Sequence, residues 1–300
     1  MATRSDYLKL HFIVFLWGFS AILGKLVTIP AMEMILYRTL LAALGMIIVI
    51  AITRGNFKVT SQELLKLLLV GFLVAIHWLA FFGAARVSNV SVSLVGFATN
   101  SLWAALLEPW FNRTRIKKFE VLLGLVVIVG LYIIFSFDFQ YKLGLLIGIS
   151  AGFTSALFAV FNARLVQRIQ PFTITFYEMI GAFLSIALFL PLYKITWAEN
   201  HQLQLNPASM DWLYIALLAG VCSVYAYSVG VELMKRISVF LVQLTLNLEP
   251  VYGIIMAVII FKDKEKMGVN FYIGTAVILS AVALYPVLKR RHDQAAVLKG

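Results

Sequence analysis

Glu249 is the residue whose type and position most clearly call for chemistry. It lies in the middle of a long apolar run, 237–261, and Pro250 follows it directly. If the run is a helix crossing a bilayer, a rise of about 1.5 Å per residue puts the carboxylate roughly 18 Å deep, near the midplane. A charged side chain at that depth is costly and marks an ion or solute pathway by default. Pro250 has no N–H to donate, so the carbonyl of Leu246 loses its usual partner. Opened backbone at that depth is tolerated only where protein or water covers it. Two readings stay open for Glu249. It is a cavity acid that binds a cationic group or takes a proton, or it is hydrogen-bonded within the bundle and holds a broken helix in position.

Amides and aromatics at similar depth join it. SVSLVGFATN at 91–100 and SVFLVQLTLN at 238–247 resemble each other without a gap and end on Asn100 and Asn247. Gln243 stands one helical turn before Asn247, on the same face. Amides donate and accept, which suits amino-acid or purine-like solutes; they serve equally as bonds between helices. His77 and Trp78 are central in the run 64–85, and Tyr225 takes the place of Trp78 in the run 212–233. With Trp17 they are candidates for an aromatic pocket wall, or for ordinary packing; Tyr227 is a weaker candidate. Arg38 and Glu178 occupy matching places in the runs 33–53 and 172–193. If the two halves are inverted, these two differ in depth and have separate partners. Lys25, near the end of the first run, either snorkels toward headgroups or gates. Asn100, Asn247, Glu249, Gln243, His77, Trp78, Tyr225 and Trp17 are thus candidate substrate contacts. Pro250, Lys25, Arg38 and Glu178 are candidate gating or structural residues.

Other chemistries find little support. There is no HExxH or GxSxG motif, no paired-acid motif and no Walker motif, and His11, His77, His201 and His292 are scattered. The single cysteine, Cys222, excludes an intrachain disulfide and a cysteine metal site. No metal, cofactor or enzymatic activity is expected.

These side chains must be positioned by membrane helices. The chain of 300 residues is 62% hydrophobic and 13% charged, with a mean hydropathy of +0.92, whereas a soluble domain is about half apolar and about a quarter charged. A crossing helix needs about 20 apolar residues. Runs of that kind occupy 8–27, 33–53, 64–85, 91–111, 119–137, 143–164, 172–193, 212–233, 237–261 and 268–288. They are too long and too uniformly apolar for barrel strands. The net charge of +11 sits in short clusters between runs, which suits loops on the positive, cytoplasmic side and needs no nucleic acid. With the N-terminus inside, 17 of the 25 Lys and Arg face the cytoplasm and 6 face outward. Both termini are therefore expected in the cytoplasm, with the loop 262–266 as the exception to the charge rule. Trp197 and Trp212 edge the longest polar loop as interfacial anchors.

The two halves repeat. Gly83 matches Gly230 at the offset of 147 that relates Asn100 to Asn247. Trp17–Ala21 resembles Ala151–Ser155, Tyr37 matches Tyr177, and Gly124 pairs with Gly274. Five spans per half is an odd number, so the second copy begins on the opposite side. Residues 1–142 are read as one five-helix repeat, and 143–300 as a second, inverted repeat with a basic tail. Inverted repeats around a midplane site are suited to opening first to one side and then to the other.

Taken together, the ten spans, WGFSAILGK at 17–25, the repeated SV-x-LV segment and NLEPVYG at 247–253 resemble the EamA-type branch of the drug/metabolite transporter superfamily. The resemblance covers nearly the whole chain. It implies an all-α, ten-helix membrane fold with a central cavity lined mainly by spans one, three, four, six, eight and nine, and with spans five and ten at the back. It also implies a proline midway in both spans four and nine. Only Pro250 is present, and span four has Asn100 and Ser101 nearby, so symmetric helix breaking does not follow from the sequence. The function expected is secondary transport of a small metabolite by alternating access, in a bacterial inner membrane, by a monomer or homodimer whose only partners are solute and lipid. The competing readings are a non-transporting scaffold or receptor and an intramembrane enzyme.

Overall fold

The computed structural model describes residues 2–88, 90–135, 141–249, 251–252 and 269–297. Pro250, the loop 262–266 and the side chain of Lys25 lie outside the described residues. No strand occurs among those that are described. The helices are α1 Arg4–Leu26, α2 Ala31–Ile52, α3 Ser61–Val87, α4 Val90–Phe97, α5 Asn100–Asn112, α6 Lys118–Phe135, α7 Lys142–Leu165, α8 Pro171–Thr196, α9 Ser209–Leu233, α10 Val239–Leu246 and α11 Val269–Val297. Among the described residues seven are long and apolar enough to cross a membrane: α1, α2, α3, α7, α8, α9 and α11. Helix is the form that satisfies every backbone group within the segment itself, which lipid demands. The ends are fixed by polar residues: Thr3 with Asp6, and Thr60 with Glu63, form reciprocal capping boxes on α1 and α3.

Small residues bring backbones together. A Cβ on Gly96 of α4 would lie 2.7 Å from the Cα and carbonyl carbon of Gly148 on α7. One on Gly71 of α3 would strike the Glu178 carbonyl oxygen on α8. Lipid offers no hydrophobic drive between helices, so such close van der Waals contact carries the association.

The apolar run 91–111 is broken at Ala98–Thr99, without a proline. The Thr99 N–H donates to the Gly96 carbonyl at 3.2 Å instead of reaching one residue further back, and the Thr99 hydroxyl donates to the same oxygen at 2.8 Å. Gly152 of α7 leaves room for this turn, since a Cβ there would meet the Thr99 hydroxyl and the Phe97 carbonyl. In the second half the chain turns at Asn247–Leu248 and is helical again at Glu249. Both central segments are therefore interrupted, one of them by hydroxyl and glycine packing.

The contacts between the halves come in matched pairs. α2 packs on α8, α5 on α10 and α6 on α11, while α3 meets α7 and α1 meets α9. The Tyr37 hydroxyl of α2 donates to the Leu205 carbonyl at 2.7 Å, and the Tyr177 hydroxyl of α8 donates to the Phe57 carbonyl at 2.8 Å. One turn earlier, Glu33 Oε1 accepts from the Gln204 N–H at 3.2 Å, and the Thr173 hydroxyl donates to the Asn56 carbonyl at 2.7 Å.

Candidate functional site

A central cavity of about 80 Å³ is walled by α1, α2, α3, α4, α7, α9 and the segment from α10 to Glu249. That is room for several waters. Its chemistry is set by a guanidinium, a carboxyl group and an aromatic surround.

Arg38 enters from α2 and is 2% exposed. Its Nε donates to the Ser223 hydroxyl at 2.9 Å, and its guanidinium carbon sits 3.9 Å from the centre of the Trp78 ring. A flat, weakly hydrated cation over an indole face is well suited to this burial. Glu249 is on the same cavity, 6% exposed. No hydrogen bond to its carboxylate is formed among the described residues, and no described cation lies within 4.0 Å of it. Arg38 and Glu249 act on each other electrostatically without forming an ion pair. The cavity therefore presents a cation already seated on an aromatic and an acid left open.

The neutral polar groups are held in place by their neighbours. His77 Nδ1 lies 2.9 Å from the Ala151 carbonyl oxygen; a carbonyl only accepts, so Nδ1 carries the proton. The ring is packed among Phe81, Phe97 and Phe158. Gln243 Nε2 donates to the Ser155 carbonyl at 3.2 Å, and the Ser155 hydroxyl donates to Gln243 Oε1 at 3.3 Å. Trp17 Nε1 donates to the Cys222 carbonyl at 3.0 Å. Asn162 and Tyr227 complete the polar wall.

Of the candidates read from the sequence, Trp17, Arg38, His77, Trp78, Gln243 and Glu249 line this cavity. Four others do not. Asn100 and Asn247 are fully buried and bond to one another: Asn247 Nδ2 donates to Asn100 Oδ1 at 3.1 Å and to the Gln243 carbonyl at 3.1 Å. The cause is the helix break, because the Asn247 N–H turns to the Leu244 carbonyl and frees the Gln243 carbonyl, which the Asn247 side chain then caps. Tyr225 is 46% exposed and meets the ring of Phe12 edge-on, away from the cavity. The reason lies in α9, which widens to π-helical geometry over Leu218–Tyr227. More residues per turn rotate the inward face off the count that holds in an α-helix, and Tyr227 takes the cavity position. Glu178 lies behind the wall, where Oε2 accepts from the Tyr227 hydroxyl at 2.8 Å and from Asn162 Nδ2 at 3.3 Å. Arg38 and Glu178 thus have separate partners. The sequence reading missed Asn162, a polar residue within the apolar run 143–164 whose amide could have marked it.

The end away from α9's start is tied by Asp6, whose carboxylate accepts from Arg236 Nε and Nη2 at 2.8–3.1 Å. Glu108 of α5 accepts the Val239 and Phe240 N–H groups at 3.2 and 2.9 Å, so the first half caps the N-terminus of α10. Among the described residues no group of three or more His, Cys, Asp or Glu could hold a metal ion.

This helical, multi-pass arrangement around a polar cavity is that of a membrane transporter of the drug/metabolite type. Residues 7–136 and 142–285 each match the EamA-like transporter family, and the chain belongs to it. One solved structure, described as "Crystal structure of protein", superposes with a TM-score of 0.76 over 97% of this chain and 99% of its own, at 17% identity; the likeness is one of fold. No curated protein matches.

Proposed function

We propose that the chain crosses the bilayer ten times, as two inverted five-helix repeats, and carries a small polar or amphipathic metabolite by alternating access. The observation that carries this reading is the reciprocal bonding of the halves. Glu33 to Thr173 and Tyr37 to Tyr177 are both steps of 140 residues, and their partners Asn56 to Gln204 and Phe57 to Leu205 are both steps of 148. Exchanging one half for the other turns each latch into its counterpart, as expected for two copies related by a pseudo-twofold axis. Such copies can trade conformations about a fixed central site. The Asn100–Asn247 pair joins equivalent residues and sits where that axis would pass.

Glu249 is the group we assign to the cationic part of the solute, facing Arg38 across a wall of Trp17, His77 and Trp78, with Gln243 supplying amide contacts. Amino-acid or purine-like solutes fit this chemistry. Movement of the two latch sets would admit them, since the cavity as it stands is too small for most metabolites. The excess of Lys and Arg on one side supports cytoplasmic termini, and a bacterial inner membrane suits the short loops. Liposomes holding the purified protein test it with a panel of amino acids and purines. Accumulation or counterflow of at least one solute is expected, lost in Glu249→Gln while the protein stays folded. Fluxes equal to those of empty liposomes for every solute would remove the transport reading.

A further inference from the structure

Behind the cavity wall is a group that the solute site does not use. Glu178 on α8 and Asn162 on α7 are both 0% exposed. Glu178 Oε2 is well bonded, accepting from Tyr227 and from Asn162. Among the described residues its second oxygen, Oε1, has no hydrogen-bond partner, and neither does Oδ1 of Asn162. Two buried acceptors without a donor are unusual, and each calls for an explanation. The amide cannot simply be turned round, because Asn162 Nδ2 already donates to both the Tyr227 oxygen, at 3.0 Å, and Glu178. Nor does any described cation lie within 4.0 Å of the acid. Among the described residues Asn162 and the Tyr227 phenol are the groups that act on Glu178, while Arg38 acts on His77, Cys222 and Glu249 instead. From α3 the approach is made by Gly71, whose backbone packs against the Glu178 carbonyl and brings no titratable group.

We infer that Glu178 binds and releases a proton at this place, and that it is the coupling site of the carrier, separate from the solute-facing Glu249. A proton on Oε1 converts one stranded acceptor into a donor, and it removes an unpaired charge from the membrane interior. The step is a simple protonation: a hydronium ion entering from one side gives up its proton and leaves water, an O–H bond forms at the carboxylate, and the reverse step returns the proton to water on the other side as hydronium. Tyr227 connects the two, because its hydroxyl touches Glu178 while its ring lines the cavity. Any rearrangement that moves α9 against α8 changes this contact, which is how proton release would be tied to opening. The inference rests on the transport reading for its coupling role, but not for the proton itself.

The test therefore has two readouts. Infrared difference spectra of the protein in lipid nanodiscs, titrated with acid, report protonated carboxyl groups without any solute. In a Glu249→Gln background the buried acids that remain, Glu33, Glu120 and Asp211 among them, contribute carboxyl bands of their own, and one further band is expected that vanishes when Glu178→Gln is added. Identical spectra with and without Glu178 would overturn the proposal. Glutamine suits the site, because its amide can donate where the proton stood and accept from Tyr227, so folding is expected to survive. In liposomes carrying a solute found with the panel, Glu178→Gln alone should lose at least tenfold in accumulation driven by a pH gradient, yet keep solute counterflow. Undiminished pH-driven accumulation, or accumulation that follows a sodium gradient instead, would also overturn it. A carboxyl band in a protein that moves no solute would strike down the transport reading and leave the proton site in place.

Discussion

The approach of α4 to α7 at Gly96 and Gly148 can be tested by one methyl group. Replacing Gly96 with alanine puts a Cβ 2.7 Å from the backbone of Gly148. Backbone atoms cannot swing aside as a side-chain tip can, so the helices must separate by a good part of an ångström. Overpacking of this kind costs about 1–3 kcal/mol. Alanine also brings a helix-propensity gain of about 1 kcal/mol, which has to be subtracted. Gly83→Ala supplies that correction, because Gly83 is interior to α3 and a Cβ there meets nothing within 4 Å. The difference between the two variants is then the packing cost itself, roughly 2–12 °C in melting temperature by the scaling for chains of about 150–250 residues. The assay is at hand in the sequence: Cys222 is the lone thiol and is 1% exposed, so a thiol-reactive fluorophore reports unfolding. Gly96→Ala should melt below the parent protein and Gly83→Ala at or above it. Equal melting of the two variants would mean that the helices do not approach at Gly96, and the account of the α4–α5 break would fall with it.

Further outcomes follow from the site. Arg38→Lys keeps the charge but loses the flat stack on Trp78 and the Nε bond to Ser223, and should lower stability by about 0.5–2 kcal/mol in the same thermal assay; a lysine variant as stable as the parent would contradict the stacking argument. Glu249→Gln should leave melting unchanged, since no described group bonds to the carboxylate, while transport is lost; a large fall in melting temperature would reassign it as a structural acid. Tyr37→Phe and Tyr177→Phe should each weaken one latch by about 0.5–1.5 kcal/mol. In a Cys222→Ser background, thiol labelling should rise at Leu205→Cys for the first and at Phe57→Cys for the second; a rise at the same loop in both would refute independent latches.

The helical membrane class was legible because lipid imposes one requirement, long apolar runs with satisfied backbones, and composition alone displays it. The repeat was legible because matched residues such as Tyr37 and Tyr177 keep nearly constant spacing. Glu249 and Gln243 could be picked out because acids and amides within the apolar runs are few.

What the linear pattern could not decide is which way a side chain faces once a helix departs from ideal geometry. The repeat match to Trp78 assigns Tyr225 to the cavity wall; the π-helical stretch of α9 turns it outward and brings Tyr227 to the cavity. Asn100 and Asn247 have the right type and depth for solute contact, yet two helix breaks direct them to each other. The break in the first half comes from Thr99 bonding back to Gly96 against a glycine-lined neighbour, a tertiary cause with no proline to announce it. Composition and periodicity determined that this chain is a bundle of membrane helices with polar groups at its middle. Packing between helices distant in sequence decided which of those groups share a cavity, because facing is a rotation about each helix axis and only neighbouring helices fix that angle.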